Sequence, residues 1–101
     1  MAGFRLSPEA EAELDGIWLH IARESGSMDI ASRLVDAISE RFWLLAQFPH
    51  MGRKRDADLA PGLRSFPAEG YVIIHCIEDD EIVAILHVVP SNREIVALLG
   101  Y

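Results

Sequence analysis

Histidine, cysteine and arginine are the residue types in this 101-residue chain that could carry chemistry. Hydrolytic catalysis by a nucleophile needs a base within reach and a group that orients the base. His75 and Cys76 are adjacent in a β-branched segment, so on a strand their side chains point to opposite faces and cannot pair. His75 and His87 lie on neighbouring predicted strands and could share a face, but no further partner accompanies them. We therefore interpret both as half-buried structural histidines.

Arginines form the second candidate site: Arg53 in GRKR, Arg64 in GLR and Arg93 in SNRE. Guanidinium groups beside a sheet can hold phosphate or carboxylate through paired hydrogen bonds. From spacing alone, the favoured interpretation is simpler: solvated loops whose arginines form salt bridges with neighbouring carboxylates.

Metal and cofactor chemistry are not predicted. The acidic run EDDE lacks the alternating ligands of a calcium loop, and there is no Gly-rich phosphate loop. The histidines also show no pair at ligand spacing; they are His20, His50, His75 and His87.

Composition predicts one globular domain over residues 1–101, since half of the residues are apolar and a quarter are charged. Cys76 is the only cysteine, which is typical of a reducing compartment. Neither a signal peptide nor an apolar run of membrane-spanning length is evident, so we expect no membrane association and a cytoplasmic location.

The net charge is −7, and only the segment 49–70 is positive, with four cations against three carboxylates. Nucleic-acid binding depends on neutralising phosphates with many cations. We therefore expect no direct nucleic-acid binding and a protein as the partner.

The elements that must position these residues begin with a short strand at 4–6. Ser7 and Pro8 then predict a helix start, and Gly26 predicts its end. Ser27 is expected to cap a second helix that stops at residues 48–49, before a proline-containing loop. Trp43 and Leu44 fall partly off the apolar stripe of this helix, which indicates a second surface to cover, either the sheet or a partner.

Residues 49–61 are predicted to be loop, followed by strands at 63–66, 71–77 and 82–89. The last strand is expected to be central, covered by the helices on one face and partly covered on the other. Ser91 is predicted to cap a final helical turn. The order β-α-α-β-β-β predicts an α+β fold in which a helix hairpin packs on a small, mainly antiparallel sheet.

This order of elements resembles the RelE/ParE toxin superfamily of bacterial type II toxin–antitoxin systems, most closely its ParE-like branch. The first helix matches S-x-x-A-x-x-D-L-x-x-I, with Leu14 and Asp15 in swapped order. The family pattern P-x-x-G-R is found at residues 49–53, G-L-R at 62–64, and the strand that ends before Arg93 matches as well. The likeness spans nearly the whole chain.

The resemblance implies a toxin neutralised by a cognate ParD-like antitoxin. ParE-like members poison DNA gyrase without being enzymes, whereas RelE-like relatives cut mRNA in the ribosomal A site. This chain has Pro90 where the family often has histidine, and its charge is acidic, so we favour a non-enzymatic, gyrase-directed toxin. Two alternatives stay open: a ribosome-dependent mRNA endonuclease, and a non-toxic module that only binds the antitoxin.

The resemblance also assigns candidate site residues. Arg64, Arg93 and Arg53 are expected to contact the target. The antitoxin is expected to lay an extended or helical segment along the helix hairpin and over the sheet. Its apolar anchors are expected to be Trp18, Ile21, Trp43 and Leu44, although plain core packing explains each of them equally well.

Overall fold

The structure is a computed structural model that describes residues 3–79, 81–92 and 94–100. Two long helices lie on a mixed five-stranded sheet, which confirms the predicted α+β fold. The elements in chain order are β1 Gly3–Leu6, α1 Pro8–Ser25, α2 Met28–Gln47, β2 Arg53–Lys54, β3 Arg64–Ala68, β4 Tyr71–Ile77, β5 Ile82–Pro90 and α3 Ile95–Leu99.

Both long helices start at the predicted serine caps. The Ser7 hydroxyl accepts a hydrogen bond from the backbone N–H of Ala10 at 3.0 Å, and Ser27 caps α2 in the same way. Such caps satisfy amides that have no partner inside the helix. The Ser7 hydroxyl also donates to the carbonyl of Leu86, so this cap ties α1 to β5. Gly26 ends α1 at a φ of 68°, in the left-handed region.

The strand order is β1-β5-β4-β3-β2. Only β1 and β5 pair in parallel, so the sheet is mainly antiparallel, as predicted. The middle strand is β4. The prediction that residues 82–89 form the central strand is therefore only partly correct, because β5 is an interior strand that lies one place from the middle.

The helices cover one face of the sheet, where Phe42 and Ile38 of α2 pack among Ile73 and Ile85 of the strands. Each of these side chains is at most 1% exposed, and such burial contributes roughly 1.5–3 kcal/mol per side chain. The opposite face is covered by a smaller cluster of Leu59, Leu63, Ile74 and residues of α3. This second cover agrees with the expectation that the last strand is partly covered on its other face.

Two local predictions are wrong. The supposed loop 49–61 contains β2, whose two polar residues carry no strand pattern of their own and are placed only by pairing with β3. Ser91 does not cap the last helix, because its hydroxyl donates to the carbonyl of Gly70 at 2.8 Å. Glu94 occupies the cap position of α3 and makes no side-chain cap bond.

Candidate functional site

Three basic side chains form a row across β2, β3 and β4. Lys54 is the direct cross-strand partner of Arg64, and Arg64 is the direct partner of His75. Direct partners in a sheet project from the same face with their Cβ atoms close together. We call these three residues the basic row. It lies beyond the end of α2, on the face of the sheet that carries the helices.

Arg64 is the best-placed cation of the row. Its Nη1 donates to the carbonyl of His50 at 2.9 Å, which anchors the guanidinium against the segment 48–52. The row forms no ion pair in the part of the chain that the structure describes. Lys54, Arg64 and Asp56 line one pocket of about 200 Å³, in which the Asp56 carboxylate accepts a hydrogen bond from the backbone N–H of Gly62. The two cations are therefore available to an acidic group from outside.

The three arginines predicted to act together do not form one cluster. Arg53 is exposed, and its cross-strand partner is Ser65, one position out of step with Lys54 and Arg64. Because successive strand residues alternate between faces, Arg53 and Arg64 project from opposite faces of the β2–β3 pair. Arg93 lies outside the described residues. Lys54, which the sequence interpretation passed over, takes the place beside Arg64.

His75 is fully buried, and neither ring nitrogen has a hydrogen-bond partner in the described part of the chain. Burial, and to a smaller extent the nearby positive charge of Arg64, lower the pKa of His75 from its ordinary value of 6.5 to about 4. Gly52 lies directly over the ring, since a Cβ on this glycine would lie 3.3 Å from Nε2 of His75. The histidine is thus neutral and shut away from any substrate.

The other groups considered for catalysis are also poorly placed. Cys76 is free and half-buried, and burial raises the pKa of its thiol, which disfavours the nucleophilic thiolate. His87 lies with Nδ1 at 3.1 Å from Glu13 of α1, whereas His75 lies beneath Gly52. The two histidines therefore have separate neighbours and do not form one site. No cluster of three or more metal-binding side chains occurs within residues 3–79, 81–92 and 94–100.

An ion pair between the half-buried Arg55 and the exposed Asp58 fixes the loop between β2 and β3. Arg55 makes three hydrogen bonds to the Asp58 carboxylate, at 2.6 to 3.0 Å, and a fourth to the hydroxyl of Ser65. Hydrogen bonding from Arg55 holds the pKa of Asp58 below its usual range. Leu59 and Leu63, on either side of the following turn, pack into the smaller apolar cluster. Polar and apolar contacts therefore both hold this loop in place.

The four predicted antitoxin anchors differ in exposure. Trp43 is 65% exposed and packs edge-on against the ring of Phe4, with centroids 4.7 Å apart. Trp18 is half-buried, and its indole N–H donates to the hydroxyl of Ser32 across the helix hairpin. Ile21 and Leu44 are half-buried as well. Trp43 is therefore the only one of the four that offers most of its surface to a partner.

A groove of about 880 Å³ runs between α1, the adjoining ends of β4 and β5, and α3. We call it the α1 groove. Its apolar lining includes Ile17, Val88 and Leu98, and its polar lining includes Glu13 and Glu69. No prediction from the sequence pointed to this groove.

Two residues of the α1 groove have backbone conformations that are unfavourable for their residue types. Gly16 lies in the middle of α1, where glycine is less favourable than alanine by roughly 0.5–1 kcal/mol. Glu69 has a φ of 54°, a left-handed conformation that costs a residue with a side chain roughly 1–2 kcal/mol. Its carboxylate accepts a hydrogen bond from Arg41 of α2 at 3.2 Å.

Glu13 is fixed at the sheet side of the groove. Its two carboxylate oxygens contact the ring of His87 and the backbone N–H of Val88, at 3.1 and 3.0 Å. The pairing of β4 with β5 shifts by one residue next to Ile74, which leaves Leu86 without a cross-strand partner. Glu13 thus accepts a hydrogen bond from a backbone N–H of β5 close to the point where the regular pairing of β4 with β5 is interrupted.

The fold is thus a helix hairpin on one face of a five-stranded, mainly antiparallel sheet, with the basic row at one end. Residues 4–95 match the family described as "ParE toxin of type II toxin-antitoxin system, parDE". The chain belongs to this family of toxin–antitoxin toxins, which confirms the predicted resemblance.

A solved structure has the same fold. The chain is similar to one described as "Chromosomal ParDE TA system from P. aeruginosa", with a TM-score of 0.76 and 24% sequence identity. The match covers 89% of this chain and 96% of the other. A comparison with curated proteins found no match. In the described residues, no helix is both long and apolar enough to cross a membrane.

Proposed function

We propose that this chain is a cytoplasmic ParE-type toxin that inhibits DNA gyrase by binding it and is held inactive by a ParD-like antitoxin. The observation that carries the proposal is the family match over residues 4–95, which includes both long helices, strands β2 to β5 and all of β1 except its first residue. The placement of side chains around the basic row supports binding rather than catalysis.

The support for a non-enzymatic mechanism lies in the histidines. A general base must come within hydrogen-bond distance of the proton that it removes. His75 cannot do so because it is fully buried beneath Gly52. The ring of His87 is already engaged, because its Nδ1 lies 3.1 Å from the carboxylate of Glu13. The basic row is left with two accessible cations, which can bind acidic groups but are not suited to transfer protons at neutral pH.

The target-binding surface that we propose centres on Lys54 and Arg64. Arg53 contributes from the other face of the same strand pair, and Arg93 follows β5 in the sequence. Arginine can bind a carboxylate through two parallel hydrogen bonds, so Arg64 is expected to contribute most. The remainder of the chain is acidic, which confines attraction for an acidic target to this region.

Purified toxin is expected to inhibit supercoiling by DNA gyrase, and Arg64→Ala is expected to weaken that inhibition at least about 10-fold. The reason is the loss of the anchored guanidinium of the basic row. Arg33→Ala is the matched control, since Arg33 is an exposed arginine of α2 paired with Asp29. Both variants are compared with wild type in a supercoiling titration, with thermal unfolding to check folding.

Growth provides the cellular counterpart of this measurement. Expression without the antitoxin is expected to stop division, with DNA damage and filamentous cells. Normal growth under strong induction of folded protein would contradict toxicity and leave a module that only binds the antitoxin. Unchanged inhibition by Arg64→Ala would remove the basic row from the proposal.

The exposed cations support one alternative, a ribosome-dependent mRNA endonuclease, because Lys54 and Arg64 lie side by side and could hold a phosphate. That function requires cleavage of mRNA in a translating extract and loss of the cleavage in Arg64→Ala. Inhibition of supercoiling without cleavage of mRNA would support gyrase as the target and contradict the endonuclease alternative.

For the antitoxin, we propose that Trp43 is the main anchor on the helix hairpin and that Trp18, Ile21 and Leu44 contribute smaller contacts. Trp43→Ala is expected to weaken antitoxin binding by about 30-fold or more, since buried tryptophans dominate such interfaces. The free chain should lose little stability, because Trp43 is largely exposed.

Met28→Ala is the control for this prediction. Met28 is 68% exposed and lies at the opposite end of α2, about 20 Å along the helix from Trp43. Binding is measured by titration calorimetry with the antitoxin encoded beside the toxin. Equal affinities for wild type and Trp43→Ala would show that the antitoxin binds elsewhere.

A further inference from the structure

Phe48 is an exposed aromatic residue on the segment that anchors the basic row. It directly follows α2, and its side chain is 54% exposed. Within the part of the chain that the structure describes, Phe48 belongs to neither of the two apolar clusters. Full burial of a phenylalanine side chain contributes roughly 1.5–3 kcal/mol, and the free chain gains only part of this. A partner that covers the ring would gain the rest.

The end of α2 does not require an aromatic side chain at this position. Phe48 ends the helix through its backbone: its N–H donates to the carbonyl of Leu44, and its carbonyl accepts from the N–H of Met51, both at 2.9 Å. Every residue type except proline can make these two bonds. Pro49 already pushes the residue before it out of the helical region. The ring is therefore free to bind a partner without loss of the helix end.

The segment 48–52 holds the ring and the basic row in a fixed relation. The carbonyl of His50, two residues after the ring, accepts the hydrogen bond from Arg64 at 2.9 Å. Met51 packs against the larger apolar cluster. Gly52 lies against β3, since a Cβ there would lie 2.6 Å from a backbone oxygen of that strand. Contacts that are positioned in advance lose less entropy on binding than mobile ones.

Charge indicates which partner covers the ring. Residues 49–70 are the only positive segment of a chain whose net charge is −7, and Phe48 directly precedes them. Lys54 and Arg64 line one pocket of this segment. An acidic protein surface is therefore attracted to the region around the ring. A nucleic acid could stack a base on the ring, but the acidic remainder of the chain would repel its phosphates.

We propose that Phe48, Lys54 and Arg64 form one surface that binds the target, and that the target presents an apolar side chain next to an acidic one. The apolar side chain covers the ring of Phe48. The acidic side chain pairs with the two cations. This inference rests on the proposed function and names the chemistry of the target at that surface. Phenylalanine and arginine are both enriched in protein–protein interfaces relative to the remaining surface.

Phe48→Ala is expected to weaken inhibition of DNA gyrase at least about 10-fold in a supercoiling titration. The salt dependence of inhibition should stay that of wild type, because the lost contact is apolar, whereas Arg64→Ala should reduce it. Phe48→Tyr keeps the ring and should inhibit within about 3-fold of wild type. Met28→Ala is the control and should inhibit like wild type, since Met28 is 68% exposed at the other end of α2.

Binding of the antitoxin shows that the variants are folded. Phe48→Ala should bind it within about 3-fold of wild type and should unfold at a similar temperature, because the ring is largely exposed.

The outcomes separate this inference from the proposed function. If wild type inhibits gyrase and Phe48→Ala inhibits it equally, the ring is not part of the target surface and the proposed function stands. If Phe48→Ala weakens only antitoxin binding, the ring belongs to the antitoxin interface and the inference is wrong. Loss of mRNA cleavage alone would also overturn it, because the ring would then stack on a base. If wild type does not inhibit gyrase, both proposals fail.

Discussion

Gly52→Ala is expected to destabilise the fold by about 3 kcal/mol, the sum of a backbone cost and a steric cost. Gly52 has a φ of 99°, which residues with a side chain rarely adopt. An added Cβ would also lie only 2.6 Å from the backbone carbonyl oxygen of Ser65. That oxygen belongs to β3, which pairs with strands on both sides and cannot move aside cheaply.

Gly62→Ala is the matched control for this substitution. Gly62 also has a positive φ, of 82°, but a Cβ there would meet no atom within 4 Å. It should therefore show the backbone cost alone, roughly 1–2 kcal/mol. The free energy of unfolding is measured by urea denaturation for both variants. Equal losses would show that the contact between Gly52 and Ser65 has no steric consequence.

The same substitution is expected to disturb the basic row. Gly52 covers His75, and the segment before it supplies the carbonyl of His50 to which Arg64 donates. If a Cβ pushes this segment outward, the guanidinium loses its anchor and the histidine becomes accessible. Gyrase inhibition by Gly52→Ala should therefore fall more than inhibition by Gly62→Ala when both are assayed folded. This links the family pattern P-x-x-G-R to the position of Arg64.

Local signals in the sequence were enough to predict the helices and most strands. Ser7, Ser27 and Gly26 each specify a helix end through their own side chain or backbone preference. The apolar periodicity then assigns the faces, and a helix hairpin followed by strands leaves few ways to build a compact core. These features depend on neighbours within a few residues, so a single sequence reveals them.

The site depends on register, which the sequence does not show. Lys54, Arg64 and His75 come together only because β2 pairs with β3 and β3 with β4 in one particular alignment. A shift of one residue would have placed Arg53 beside Arg64 instead. Gly16 carried a weak local signal, an isolated glycine inside a helical pattern, but its empty surroundings become evident only in the folded chain.

Acid is expected to destabilise the chain through His75 by about 3 kcal/mol between pH 6.5 and pH 4. The pKa of His75 is about 4 in the folded state, against an ordinary value of 6.5. The cause is first the burial of the ring without a hydrogen-bond partner, and second the charge of Arg64. In the folded chain the imidazole is therefore mainly neutral until the pH approaches 4.

The sign follows from proton counting. Between pH 6.5 and pH 4 the unfolded chain binds a proton at His75 and the folded chain does not, so a fall in pH favours unfolding. The full contribution to stability is present above pH 6.5 and is lost as the pH falls towards 4. Each pKa unit corresponds to about 1.4 kcal/mol, which gives the expected total.

His75→Leu is the variant that isolates this effect. It removes the two ring nitrogens that lack partners, so it should raise stability at neutral pH by about 1 kcal/mol or more, and it also removes the proton uptake. Carboxylates such as Glu78 and Asp58, whose pKa values arginines hold low, destabilise wild type and variant equally on acidification. The difference between the two proteins therefore reports His75 alone.

The measurement is urea denaturation of wild type and His75→Leu at several pH values from 4 to 7. The stability gap between them should widen steadily as the pH falls, because only the wild type loses the contribution of a neutral, buried imidazole. His20→Gln, which alters an exposed histidine of α1, should keep the acid response of the wild type. A gap that stays constant over this range would mean that His75 takes up its proton equally in the folded and unfolded chains, and that the ring is not sealed beneath Gly52.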